Sequence, residues 1–158
     1  MSTVLPVLIL LAALGSALMA GLFFTFSNFV MTALGRLDAP QGIATMQKIN
    51  VVIINPLFIL VFMGTALLSI GLPVSLLWRQ SHPDEIFMIS GSLCYVIGVI
   101  LVTGIRNVPM NNALDALDAH SDEASQFWKR YLRDWTRWNH VRSVFSLFST
   151  LCFILAVN

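Results

Sequence analysis

The chain has 158 residues, 57% of them hydrophobic and only 11% charged, with a net charge of +1. Water-soluble domains carry about 25% charged residues, so composition excludes an ordinary soluble fold, and the small net charge argues against a nucleic-acid partner. The length suits one domain, 1–158.

Four runs hold no charged side chain: Met1–Gly35, Ile49–Trp78, Ile86–Ile105 and Ser143–Asn158. The hydrocarbon core of a bilayer is ~30 Å thick and needs about 20 apolar residues to be crossed by a helix. The runs predict an all-α integral membrane protein, a four-transmembrane-helix bundle with spans over about 4–34, 49–77, 86–105 and 139–157. The lipid bilayer is then its first partner. The first twenty residues also resemble a signal peptide ending in Ala17-Leu18-Met19-Ala20. No basic segment precedes them, however, and the apolar run continues past Phe29, so we read an uncleaved first span.

Span 1 carries Gly15, Ser16, Ala17, Ala20 and Gly21, a small-residue stripe that lets a second helix approach closely, either within the bundle or across a homo-oligomer interface. Phe23, Phe24, Phe26 and Phe29 follow as lipid contacts or as a pocket wall. Span 2 contains Pro56, whose ring frees the carbonyl of Val52, so a kink or opened turn is expected at Asn55-Pro56. Span 3 ends at Arg106-Asn107-Val108-Pro109, a break before a proline. Pro109 is placed to start a short amphipathic helix in the third loop, reaching about Ala119. Ser121 reads as an N-cap, with Asp122 and Glu123 in the following turn, where acids suit the helix dipole. No breaker follows, which predicts a long C-terminal helix of roughly 36 residues, or ~54 Å. In its first half Trp128, Tyr131, Leu132, Trp135 and Trp138 recur at helical spacing, with Lys129, Arg130, Arg133 and Arg137 on other faces. That pattern suits an interfacial aromatic belt beside anionic headgroups.

Of nine basic residues, Arg36 and Lys48 fall in the first loop, and Arg106, Lys129, Arg130, Arg133, Arg137 and Arg142 in or beside the third. Only Arg79 falls in the second. Positive charge is retained in the cytoplasm, so loops one and three are expected there and both termini on the outer side. Cys94 and Cys152 lie mid-span and read as small core residues rather than a disulfide.

Polar residues gather at the same end. Asn28 lies toward the inner end of span 1, Gln47, Asn50 and Asn55 in span 2, Arg106, Asn107, Asn111 and Asn112 at span 3, and Asn139, His140 and Arg142 at the start of span 4. The uncharged part of span 4 reaches only about 24 Å, so its three polar residues should sit at the inner headgroup boundary. Buried amides are costly unless paired, and polar groups at membrane depth mark sites or pathways. The other use for these asparagines is to cap helix ends and to satisfy the Val52 carbonyl. His140 can exchange a proton near neutral pH, Arg142 and Arg106 are fixed cations, and asparagine amides can donate to a developing oxyanion. Trp135 and Trp138 offer flat faces. Together these suit proton abstraction from a lipophilic small molecule with an acidic C–H or O–H. The candidate catalytic residues are His140 and Arg142; the candidate substrate-binding residues are Asn50, Asn55, Arg106, Asn107, Asn111, Trp135, Trp138 and Asn139. The Asp115, Asp118, His120, Asp122, Glu123 run reads as a solvated face rather than a metal site. No His or Glu pair with ligand spacing occurs in a span, and no dinucleotide, phosphate-loop or nucleophile-elbow fingerprint is present, so no metal and no cofactor is expected.

Several segments carry a resemblance: Val30-Met31-Thr32-Ala33-Leu34, Met46-Gln47-Lys48-Ile49-Asn50, Asn55-Pro56-Leu57-Phe58, Asn107-Val108-Pro109-Met110-Asn111-Asn112-Ala113-Leu114, and Trp135-Thr136-Arg137-Trp138-Asn139-His140-Val141-Arg142. In this order, over nearly the whole chain, the sequence resembles the DUF1772 family of small four-span membrane proteins, also called anthrone oxygenase-like. The resemblance implies conversion of an anthrone to an anthraquinone with O2 and no cofactor, through an enolate that passes an electron to oxygen. By that analogy His140 would be the base, Arg142 and Arg106 would stabilise the anion, and Asn50, Asn107, Asn111 and Asn139 would position oxygen atoms. The alternative is a non-enzymatic membrane protein that binds a lipophilic aromatic or a lipid headgroup.

Overall fold

The computed structural model describes residues 4–78 and 85–157. Among them there is no strand, and five helices carry the fold: α1 (Val4–Leu34), α2 (Ala39–Val52), α3 (Pro56–Val74), α4 (Glu85–Asp115) and α5 (Asp122–Leu155). Arg79, the basic residue of the second loop, lies outside the described residues.

The helix ends follow local chemistry. Ser121 caps α5 by accepting from the Ala124 amide at 3.1 Å. Asn55 is extended, as a residue before proline prefers to be, and its Oδ1 accepts from the Phe58 amide at 3.0 Å to start α3. Its Nδ2 donates to the carbonyls of Val52 and Ile53, each at 3.3 Å, so the group freed by Pro56 has a partner. The opened turn expected at Asn55-Pro56 is thus present. It is deep enough that the stretch from Ile49 to Leu77 is not one rod: α2 stops at Val52 and α3 begins anew at Pro56.

At the end of the third apolar run the expectation of a break is corrected. α4 passes through Pro109 without stopping and ends at Asp115 rather than near Ala119. The reason lies one turn earlier. Thr103–Asn107 widens to the i→i+5 π pattern, and Pro109 falls in the first turn of the α-helical stretch that restarts after it, where a missing N–H costs least. Similar wide turns occur at Cys94–Leu101 in α4 and Phe26–Val30 in α1.

α1, α3 and α4 are each long and apolar enough to cross a membrane. Their outer faces are apolar too: Leu14 is 58% exposed, and Leu60 and Leu67 are 69% exposed. So much outward leucine suits a lipid surrounding. α1 packs along α5 and against α3; α4 packs against α3 and α5. One buried cluster joins the starts of α1 and α4 to the ends of α3 and α5 through Ile9, Met88, Leu72 and Phe153. Another joins the end of α1, α2, the end of α4 and the start of α5 through Met31, Ile43, Leu114 and Trp128. Sequential long helices therefore run up and down.

Small residues make these contacts close. A side chain at Gly15 would meet Thr65 of α3, and one at Gly98 would run into Phe145 of α5. Ser16 and Ser149 share a hydrogen bond at 3.1 Å, and Ser149 donates to the Gly91 carbonyl at 2.8 Å, tying α1, α4 and α5 together in the interior. Gly15 and Ser16 are thus spent on packing inside the molecule. The aromatic run of α5 is also interior. Trp128, Tyr131 and Trp135 are buried and stacked in sequence, with centroids 5.5 and 6.0 Å apart, instead of forming an interfacial belt.

Candidate functional site

The five helices enclose one cavity of about 270 Å³ near the polar end. Helical spacing brings its polar lining together. α5 contributes Trp135, Asn139 and Arg142, which fall at i, i+4 and i+7 on one face; α4 contributes Thr103, Asn107 and Asn111 at i, i+4 and i+8. Met46 and Asn50 of α2, Phe23 and Phe26 of α1, and Phe58 and Phe62 of α3 close the remaining sides.

Arg142 is the centre of this arrangement. Its side chain is buried, with 6% exposure, although it carries a guanidinium. Nη2 donates to Asn139 Oδ1 at 2.7 Å and Nη1 to Thr103 Oγ1 at 3.3 Å. Asn139 is itself anchored, donating to the Phe23 carbonyl and to Ser27 Oγ, both at 2.7 Å. The guanidinium lies 4.3 Å from the Phe23 ring centre and 5.2 Å from that of Trp135, two cation–π contacts. No carboxylate pairs with it among the described residues, and its Nε is buried without a hydrogen-bond partner. Asn107 is likewise buried; Nδ2 donates to the Trp135 carbonyl at 3.3 Å while Oδ1 has no partner. The Asn50 Nδ2 is a third buried atom in this condition. Each such atom costs roughly 1–3 kcal/mol when left unmade, more where charge is involved.

Asn111 differs, because its Oδ1 is saturated: it accepts from Tyr131 Oη and Trp135 Nε1, both at 2.8 Å. Burial pushes the Tyr131 phenol well above its ordinary range, with the neighbouring Asn50 amide and the Arg142 cation opposing the shift only in part. The phenol therefore stays a neutral donor that fixes Asn111 and, through it, the Trp135 ring.

Six of the ten sequence candidates thus line the cavity: Asn50, Asn107, Asn111, Trp135, Asn139 and Arg142. The other four do not. His140 is exposed, since the next residue along a helix points roughly 100° away from Asn139. Asn55 is exposed and serves as the α3 cap. Arg106 stacks on Trp138 at 4.7 Å, and both face a separate groove on the outside of α4 and α5. Sequence reasoning passed over Thr103, Tyr131 and Ser27, whose hydroxyls hold Arg142, Asn111 and Asn139. Thr103 and Ser27 are short hydroxyls in apolar runs, which look like packing residues; the face they share with Arg142 and Asn139 becomes visible only across helices. Of the phenylalanine run, Phe23 and Phe26 form cavity wall, and Phe24 and Phe29 point outward.

The acidic loop is occupied locally. Asp118 Oδ1 accepts from the His120 amide at 3.0 Å and the Asp118 carbonyl from Ser121 Oγ at 2.8 Å.

The mouth of the cavity is rimmed by Ile54, Ile59, Met63 and Val108, all exposed and apolar. Ile59 and Met63 lie one turn apart on α3, a helix fit to cross the membrane, so the opening faces the medium that surrounds that helix.

In comparison with known proteins, a family model described as anthrone oxygenase matches residues 48–152, about two thirds of the chain. No curated protein and no solved structure matches it.

Proposed function

The chain belongs to the anthrone oxygenase family, and we propose that it oxidises a lipophilic aromatic substrate of anthrone or quinol type with O2, without a cofactor, in the cavity around Arg142. The observation that carries this reading is a buried guanidinium with a free Nε beside an unpaired amide oxygen of Asn107, in otherwise apolar walls. A cation without a counter-ion is costly to bury, and an enolate or phenolate oxygen is the partner that would relieve it. Stabilising that anion favours loss of the proton, and the deprotonated ring carbon is electron-rich enough to reduce O2 directly. For an anthrone the balance is simple. The ring methylene loses a proton to water, and the carbanion gives one electron to O2. The two radicals join as a peroxide anion on the same carbon, which takes the proton back to become a hydroperoxide. Loss of water then leaves a carbonyl, with one oxygen atom in the product and one in the water. Arg142 Nε and Asn50 Nδ2 would hold the substrate oxygen, Asn107 Oδ1 would accept from a ring hydroxyl, and Trp135, Phe23 and Phe26 would flank the rings. His140, on the outer side of α5, takes no part in this scheme.

The membrane setting belongs to the same proposal. The C-terminal half of α5 makes a fourth crossing, with Ser146 and Ser149 turned inward and Val144, Leu147, Leu151 and Ile154 outward. The eight basic residues other than Arg79 then lie at the cytoplasmic end and both termini outside. A substrate dissolved in the bilayer would reach the cavity past Ile59 and Met63.

The test is oxygen uptake and quinone formation by the purified, metal-stripped protein given a simple anthrone. Turnover should fall by about 100-fold or more in Arg142→Gln, in line with loss of one preorganised oxyanion donor, and persist in His140→Ala. Uptake no faster than spontaneous autoxidation would sink the proposal. One observation favours the alternative, a protein that binds a lipophilic aromatic without turning it over: Arg142 is the sole ionisable side chain lining the cavity, so no general base stands there. Anthrone binding without oxygen consumption would establish that reading.

A further inference from the structure

We propose that the open groove between α4 and α5, on the outside of the molecule, binds the phosphate headgroup of an anionic phospholipid. The groove has a volume of about 520 Å³ and shares none of its lining with the cavity around Arg142, so this inference stands whether or not the oxidation reading does. Three arginines face it: Arg106 from α4, and Arg130 and Arg137 from α5. Two of them are already held in place. The Arg106 guanidinium lies over the Trp138 ring at 4.7 Å, and that of Arg130 over Phe127 at 4.9 Å. Stacking leaves the edges of a planar guanidinium free, and the edges are what a phosphate oxygen pair uses. Preorganisation also lowers the entropy cost of binding.

The one acid in the groove does not cancel this charge. Asp134 is clasped by Arg133, which donates from Nε to Oδ1 at 2.7 Å and from Nη2 to Oδ2 at 2.9 Å. Arg133 does not line the groove, but it occupies both carboxylate oxygens of Asp134. Arg130 and Arg137 also feel the Asp134 carboxylate, so the groove presents three cations against one acid, an excess of positive charge.

Depth selects the source of the phosphate. Arg106 is the first charged residue after the uncharged run Ile86–Ile105, which places it where an apolar helix leaves the hydrocarbon. Beside the arginines, Ile105 and Met110 give the groove an apolar floor as part of its lining. An inorganic ion would have no use for that floor; a phospholipid would lay its glycerol and upper acyl carbons on it. Phosphate monoanion chemistry is common to both, and position commits the site to the lipid.

The experiment measures binding to the purified full-length protein in neutral detergent, with phosphatidylglycerol, phosphatidylcholine and inorganic phosphate as three separate probes. Phosphatidylglycerol should bind at least about tenfold more tightly than phosphatidylcholine, and phosphate should displace it only weakly. Near a membrane surface each arginine counts for roughly fivefold, so Arg106→Gln and Arg130→Gln should each weaken phosphatidylglycerol by about that factor. Arg130→Lys, which keeps charge but loses the planar stack, should lose part of it. Arg36→Gln, at a basic residue just beyond α1 that does not line this groove, should change nothing. All three arginine positions are exposed, so these variants should fold; Trp138→Leu, which removes the shelf under Arg106 and leaves every charge, is an independent second probe and should also weaken binding. The proposal is overturned if phosphatidylcholine binds as tightly, if Arg36→Gln costs as much as Arg106→Gln, or if free phosphate binds as tightly as the lipid.

Discussion

Among the described residues, Arg142 is the charged side chain that is buried. Its hydrogen bonds to Asn139 and Thr103 and its two aromatic faces recover part of the desolvation cost, but nothing neutralises it among the described residues. Where one charge is buried unpaired, an apolar residue of similar volume is often more stable. We expect Arg142→Met to raise the midpoint of thermal unfolding in detergent while abolishing binding of an anthrone or a phenolic analogue. A fall in midpoint of the size expected for a broken core contact, about 2 kcal/mol or more, would mean that the arginine is structural. This trade of stability for function is the usual mark of a site. Arg142 was legible in the sequence as a cation at the membrane edge, and Asn139 as an amide beside it. A snorkelling arginine has the same sequence signature, because sequence cannot tell a side chain that bends outward to headgroups from one that bends inward to Asn139.

At the level of elements, the helix ends and crossings are set by single residues. Asn55 holds the α2–α3 break with one accepted and two donated hydrogen bonds. Asn55→Ala should lower stability by about 1 kcal/mol, the usual worth of an asparagine cap, and should leave turnover of bound substrate intact, since the side chain lies outside the cavity. Loss of activity beyond the loss of stability would return Asn55 to the site. Gly98 has the opposite role. It permits α5 to bring Phe145 against the α4 backbone, and a methyl group there has no room. Gly98→Ala should cost about 1–3 kcal/mol through overpacking, whereas Gly104→Ala, with open space around its Cα, should be near neutral. Equal effects at the two glycines would show that backbone freedom, rather than the close crossing, is what matters. The caps at Asn55 and Ser121 were readable because they are local. The continuation through Pro109 was not, because the wide turns of α4 depend on how it lies against α3 and α5.

For the whole molecule the first question is which way it lies in the membrane. With Cys94 and Cys152 replaced, a cysteine at Arg36 should be shielded from a membrane-impermeant thiol reagent in intact cells, and one placed just after Val157 should react. The reverse pattern would invert the orientation and turn the site toward the opposite leaflet. The composition and spacing of this chain by themselves determined that it is helical, that it has helices long and apolar enough to cross a bilayer, and that its polar residues collect at one end, because these depend on hydropathy and on distance along the chain. The family was legible for the same reason, as motifs kept in order. Only the tertiary structure decided which of those polar residues share a cavity. His140 and Asn139 are neighbours in sequence, yet one faces outward and the other is buried, and Arg106 and Asn107 divide in the same way. A turn of roughly 100° per residue separates them, and the packing of α1, α3 and α4 around α5 chooses which side is inside.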